Sequence, residues 1–162
     1  MKFKDIFKKW GLSRVSLNLK VAELEFSPNE GDEVAAWEMY VEMVTRITTQ
    51  ELHQDTGVEA TALESIYKMF EITRDILKSH GRTCKEFTKI AIIILNQVIR
   101  PFTAKWHKRS TDDQLDLSEE KQCFREELTS LQKDLRSYSK MLAEIAKIED
   151  LTYLVTSAEE EL

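Results

Sequence analysis

Asn96, Arg100, Thr103 and His107 follow one another at intervals that stack side chains on a single face of a helix. A second arginine–histidine pair, Arg74 and His80, stands upstream, with Asp75 directly after the arginine. The run Ile90 to Leu95 that precedes the first set is apolar all round, which marks a deeply buried helix. Polar groups at the edge of such a helix need internal partners. Asn96 and Arg100 are therefore expected to reach carboxylates of an earlier helix, Glu38 or Glu42, as a structural polar network. Trp106 would pack beside them, and Tyr40 and Tyr67 offer hydroxyls. Other chemistry finds little support. His53, His80 and His107 are far apart and none has a second ligand at metal-binding spacing. Glu51 and Asp55 beside His53 read as a solvated turn. The four glycines form no phosphate-cradling loop, and no serine or cysteine sits in a nucleophile context. Cys84, at a helix start beside Lys85, reads as a small capping-region residue. No metal or cofactor is expected.

The arginine–histidine spacing on an all-helical chain resembles the motif of HEPN ribonucleases. In that family the pairs of two protomers meet in a dimer cleft. The resemblance implies that Arg100 or Arg74 would stabilise phosphate charge and that His107 or His80 would move a proton at the ribose 2′-hydroxyl, without metal. Arg74-Asp75 follows the family pattern, in which a polar residue succeeds the arginine; Arg100-Pro101 departs from it.

The elements that must carry these residues are helices. The chain has 162 residues, only four glycines and two prolines, 42% hydrophobic and 32% charged residues. That composition describes a globular, mainly α protein that can bury a core without disulfides or metal. About four long helices are expected. One covers 32–52, with Ala36, Met39, Tyr40, Met43, Val44 and Ile47 on its apolar face and Trp37 at the border. A second covers 59–79 and stops at Gly81. A third opens on a capping box, Thr83-Cys84-Lys85-Glu86, and is kinked or split by Pro101. After a polar linker at 110–117, the fourth covers 118–148. Its apolar positions Phe124, Leu128, Leu131, Leu135, Tyr138, Leu142 and Ile145 make an unbroken heptad seam. That seam suits antiparallel packing in the protein's own bundle, with an overhanging part offered to a partner; Leu128 through Ile145 are the candidate interaction residues. Ahead of the helices, residues 2–10 form a basic amphipathic segment with Phe3, Ile6, Phe7 and Trp10 at helical spacing. Docking on the core is one use of it and an anionic membrane surface another. Val15, Leu17, Leu19 and Val21 alternate like a strand, so residues 12–26 are expected as a small β segment needing a pairing partner. Residues 1–150 read as one domain, with 1–28 as the basic helix plus β segment and 31–109 as the helical core. An acidic tail, 151–162, ends in Glu159-Glu160-Glu161.

The net charge of −6 is unevenly spread: residues 1–20 and 82–109 are basic, whereas 30–64 are acidic with Arg46 the only strong base. Nucleic acid is conceivable at the 82–109 face and is disfavoured by the acidic total. The longest apolar run is too short to span a bilayer, and Cys84 and Cys123 fit a reducing compartment, so a cytoplasmic protein is expected. Two stretches, Ala35-Ala36-Trp37-Glu38-Met39-Tyr40-Val41-Glu42 with Thr45-Arg46, and Leu95-Asn96 with Arg100-Pro101-Phe102-Thr103-Ala104-Lys105-Trp106-His107, resemble an uncharacterised group of bacterial helical-bundle proteins. The resemblance covers about residues 12–150. It implies a bacterial protein, encoded beside anti-phage defence genes, and carries no mechanism. The functional expectation is a non-enzymatic interaction module, an accessory or regulatory subunit with a protein partner or a second copy of itself. The alternatives are a HEPN-like ribonuclease and a peripheral membrane adaptor.

Overall fold

The computed structural model describes residues 1–12 and 14–155, and the chain is mainly α. The helices are α1 (Phe3–Lys9), α2 (Leu19–Ala22), α3 (Glu30–Val44), α4 (Glu59–His80), α5 (Lys85–Ile93), α6 (Arg100–Thr111) and α7 (Ser118–Ala146). A π-helical stretch, Ile94–Ile99, joins α5 to α6. Helix α7 packs along α3 and closes a bundle with α4 and α6 around one core cluster that runs from Phe3 to Ile145. The tail's Glu159-Glu160-Glu161 lies outside the described residues.

The expected β segment does not form. Among the described residues the only bridge is an isolated antiparallel one between Lys2 and Glu25. Two side chains replace the strand partner. Gln97 takes both backbone groups of Ser16, accepting from its N–H at 2.7 Å and donating to its carbonyl at 2.9 Å. Asn18 then caps α2 by accepting from the Val21 N–H at 2.9 Å. With these backbone groups met by side chains, the segment has no need of a sheet.

Helix α3 ends at Val44 rather than near Leu52, and threonines explain the early stop. Thr45 Oγ1 donates to the Val41 carbonyl at 2.6 Å. Thr48 Oγ1 and Thr49 Oγ1 both donate to the Met43 carbonyl, at 2.5 and 2.9 Å. The Thr48 and Thr49 hydroxyls thus occupy the carbonyl that the next helical N–H, that of Ile47, would otherwise meet.

The expected capping box at α5 is also replaced. Cys84 is the N-cap and makes no side-chain cap, while Thr83 Oγ1 turns back to the His80 carbonyl at 2.7 Å. The cap comes instead from α3. Asp32, fully buried, accepts from the Asn29 N–H at 2.9 Å and from the Phe87 N–H at 2.9 Å. One carboxylate thus serves the N-termini of two helices, where backbone donors and the helix dipoles favour negative charge. Gly31 lets the two starts approach: a Cβ there would stand 2.5 Å from the Thr83 carbonyl oxygen.

The third expected helix is not broken at Pro101: residues 85–111 are helical throughout, with the π turn Ile94–Ile99 just ahead of the proline. The Arg100 N–H bonds the Leu95 carbonyl across a widened π turn, and α6 begins with Pro101 in its first turn. A regular helix would press the proline ring against the carbonyl four residues earlier, so the wide turn sits where it relieves that clash.

Candidate functional site

The α6 face places Arg100 and His107 against aromatic rings of α4. The Arg100 guanidinium lies 4.7 Å over the Phe70 ring, and its Nε donates to Asn96 Oδ1 at 3.0 Å. His107 meets Tyr67 edge-on at 4.7 Å between ring centroids, and its Nε2 is 3.5 Å from Glu64 Oε1. Thr103 Oγ1 donates back to the Arg100 carbonyl at 3.2 Å. Arg100 is exposed, not buried against α3. Of the expected polar network, only the Asn96–Arg100 bond is present. Glu42 accepts from Arg46 Nε at 2.7 Å, and Glu38 Oε1 stands 3.0 Å from His80 Nε2 without hydrogen-bond alignment. Arg74 and His80 separate: Arg74 is exposed, whereas His80 turns towards α3.

The heptad seam of α7 is spent internally. Leu128, Leu131, Leu135, Tyr138, Leu142 and Ile145 are all at most 4% exposed. No part of the seam overhangs, which corrects its expected use as a docking stripe. The flank of α7 also works inward. Arg125 donates to Glu59 Oε1 at 2.9 Å, to the carbonyls of Leu52 and His53 at 3.2 and 3.3 Å, and to that of Gly57 at 3.0 Å. Gln132 Nε2 donates to the Ile47 and Gln50 carbonyls at 2.7 and 2.6 Å. Residues 45–58, between α3 and α4, are thereby sewn onto α7. Burial pushes the Glu59 carboxyl up, but its own backbone N–H and Arg125 outweigh that and hold it below the ordinary range.

The aromatics of α1 dock on the protein's own core. Phe3, Ile6 and Phe7 are at most 3% exposed, and Trp10 Nε1 donates to Glu144 Oε2 at 2.9 Å. The apolar face that would enter a membrane is thus already covered. Among the described residues no helix is long and apolar enough to cross one.

Of the surface depressions, two bear on the candidate site. The larger, about 600 Å³, lies beside the π turn, between the arm before α2 and α7. Its charges pair with each other: Arg14 Nη2 reaches Asp134 Oδ2 at 2.8 Å and Ser130 Oγ at 2.9 Å, and Lys105 pairs with Glu127. Burial raises the Asp134 carboxyl despite Arg14. The Cys123 thiol beside Glu127 is raised by burial and by that carboxylate, the opposite of an activated nucleophile. Among the described residues no three histidine, cysteine or acidic side chains gather as a metal site.

The second depression, about 440 Å³, is an apolar groove between α3 and α4, lined by Trp37, Val41, Ile72 and Ile76 with Glu38, Glu42 and Asp75 at its rim. Val34, Trp37 and Val41 fall at i, i+3 and i+7 on the outer face of α3 and are 43%, 48% and 38% exposed. Trp37 is stacked on Tyr40 at 6.3 Å. Tyr40 is fixed in turn: its hydroxyl donates to Asp150 Oδ1 at 3.3 Å and accepts from the Leu151 N–H at 2.6 Å. An exposed indole held on a rigid base is a ready anchor for a partner. Sequence reasoning placed Trp37 at the border of the core face and passed over Val34 and Val41. The available signal was that α3 carries apolar residues on more of its circumference than one core contact uses. Compared with known proteins, the chain matches no family model, no curated protein and no solved structure.

Proposed function

We propose that this protein is a non-enzymatic interaction module, an accessory or regulatory subunit that binds a protein partner through the groove between α3 and α4. The exposed row Val34–Trp37–Val41 on α3 carries this reading. Large apolar side chains in one row, with a groove beside them, are what a soluble chain leaves open for another surface. The arginine–histidine pairs support it from the other side. Arg100 and His107 are each engaged with α4, and His80 faces Glu38 instead of joining Arg74. A bacterial, defence-linked setting rests on the likeness of the two stretches at 35–46 and 95–107. A cytoplasmic setting rests on the free thiols of Cys84 and Cys123.

Light scattering tests the reading, with the protein alone and mixed with the products of adjacent genes. The expected result is a defined complex that Trp37→Ala weakens. A protein that stays strictly monomeric and binds none of them contradicts it. Incubation with mixed RNA in EDTA decides the ribonuclease alternative: cleavage lost in both His107→Ala and His80→Ala would replace the present reading.

A further inference from the structure

We infer that the occupant of the α3–α4 groove is a cationic amphipathic helix, with an apolar stripe that covers Trp37 and Val41 and lysines or arginines that meet the rim carboxylates. This rests on the interaction reading and adds the class of partner.

Shape argues for a helix. The furrow between two packed helices accepts the side-chain ridge of a third, and the row on α3 spans roughly 10 Å, two turns of a docked helix. Charge argues for a cationic one. Three carboxylates, Glu38, Glu42 and Asp75, stand at the rim. Arg46 engages Glu42 and His80 contacts Glu38, while among the described residues no cation is in ion-pair range of Asp75. The α3 wall lies within residues 30–64, which have Arg46 as their only strong base, while the α4 wall also carries Arg74 and Lys78. A neutral or acidic helix would set its own groups against these carboxylates; a basic one complements them at the rim, where charge selects partners and speeds encounter.

Two other occupants fit less well. A second copy docking by the same groove would bring like carboxylates face to face across the two-fold axis. The chain's own basic helix, α1, has its apolar face committed to the core.

The test uses two labelled synthetic helices, one of leucine and lysine and one of leucine and glutamate, with identical apolar spacing. Fluorescence anisotropy with the full chain reads binding. The Leu/Lys helix is expected to bind, more weakly as salt rises, and the Leu/Glu helix is not. Val41→Asp and the double change Glu38→Lys/Asp75→Lys should each weaken Leu/Lys binding about tenfold or more. Glu126→Lys, on exposed α7 surface, should leave it nearly unchanged. The double change should also admit the Leu/Glu helix, a gain that misfolding cannot imitate. Equal binding of both helices, binding indifferent to the groove variants, or no binding at all overturns the inference. If the helices fail but an adjacent gene product still binds through Trp37, the interaction reading stands and only the partner class falls. If that complex is also absent, both fall.

Discussion

Helix α7 and helix α3 advertise opposite things in sequence and in space. The seam of α7 is the most regular apolar pattern in the chain, and every residue of it from Phe124 to Ile145 is buried at home. The row on α3 is short and hidden among other apolar residues, yet it is the one that faces outward. Period alone reports that a helix buries a stripe; it does not say whose surface covers it. A helix with more apolar circumference than one neighbour can cover is the better pointer to a second contact.

The comparison predicts a division of labour: changes in α7 should cost stability and spare recognition, and changes in the α3 row should do the reverse. The largest effect belongs to Leu135, which is fully buried in the seam. Leu135→Ala should lower the unfolding free energy by about 2–5 kcal/mol in urea denaturation, through lost burial and the cavity left behind. Next comes Arg125→Ala, which removes the bonds to Glu59, Leu52, His53 and Gly57. Its cost should be about 2–3 kcal/mol, with faster amide exchange across 45–58. That pair also sets a pH dependence. Glu59 is held below its ordinary value of 4.5, so the stability it lends is complete above that pH. It is lost as pH falls through the lower folded value, and Arg125→Ala should flatten that acid limb. A smaller gain is expected at Tyr138, whose hydroxyl is buried in the seam without a hydrogen-bond partner. Burial pushes that phenol far up, and Tyr138→Phe should stabilise the fold by roughly 1 kcal/mol in the same denaturation assay. A comparably small effect is expected at Trp37: Trp37→Ala should cost about 1 kcal/mol, because nearly half of the residue is already in water and the rest stacks on Tyr40.

Helix content was legible because long 3.6-residue periods and scarce glycine and proline leave few alternatives. The π turn just ahead of Pro101 fits its missing donor, and Gly81 does close α4, at φ 57°. What misled was long-range satisfaction of backbone groups. Nothing near Ser16 in sequence announces that Gln97 will take both its N–H and its carbonyl. Nor does Thr83-Cys84-Lys85-Glu86 show that Asp32, on another helix, will supply the cap. The candidate site was half visible: the Arg100–His107 face is real, but Phe70 and Tyr67 beneath it could be paired with it only in three dimensions.

The most direct test of the division between α3 and α7 is site-specific photo-crosslinking in cells. A benzoylphenylalanine would replace Val41 in the groove or Lys133 on the exposed side of α7. One discrete crosslinked partner at Val41, absent at Lys133, is the predicted result. Crosslinking at Lys133 with none at Val41 would contradict it and return the partner surface to α7.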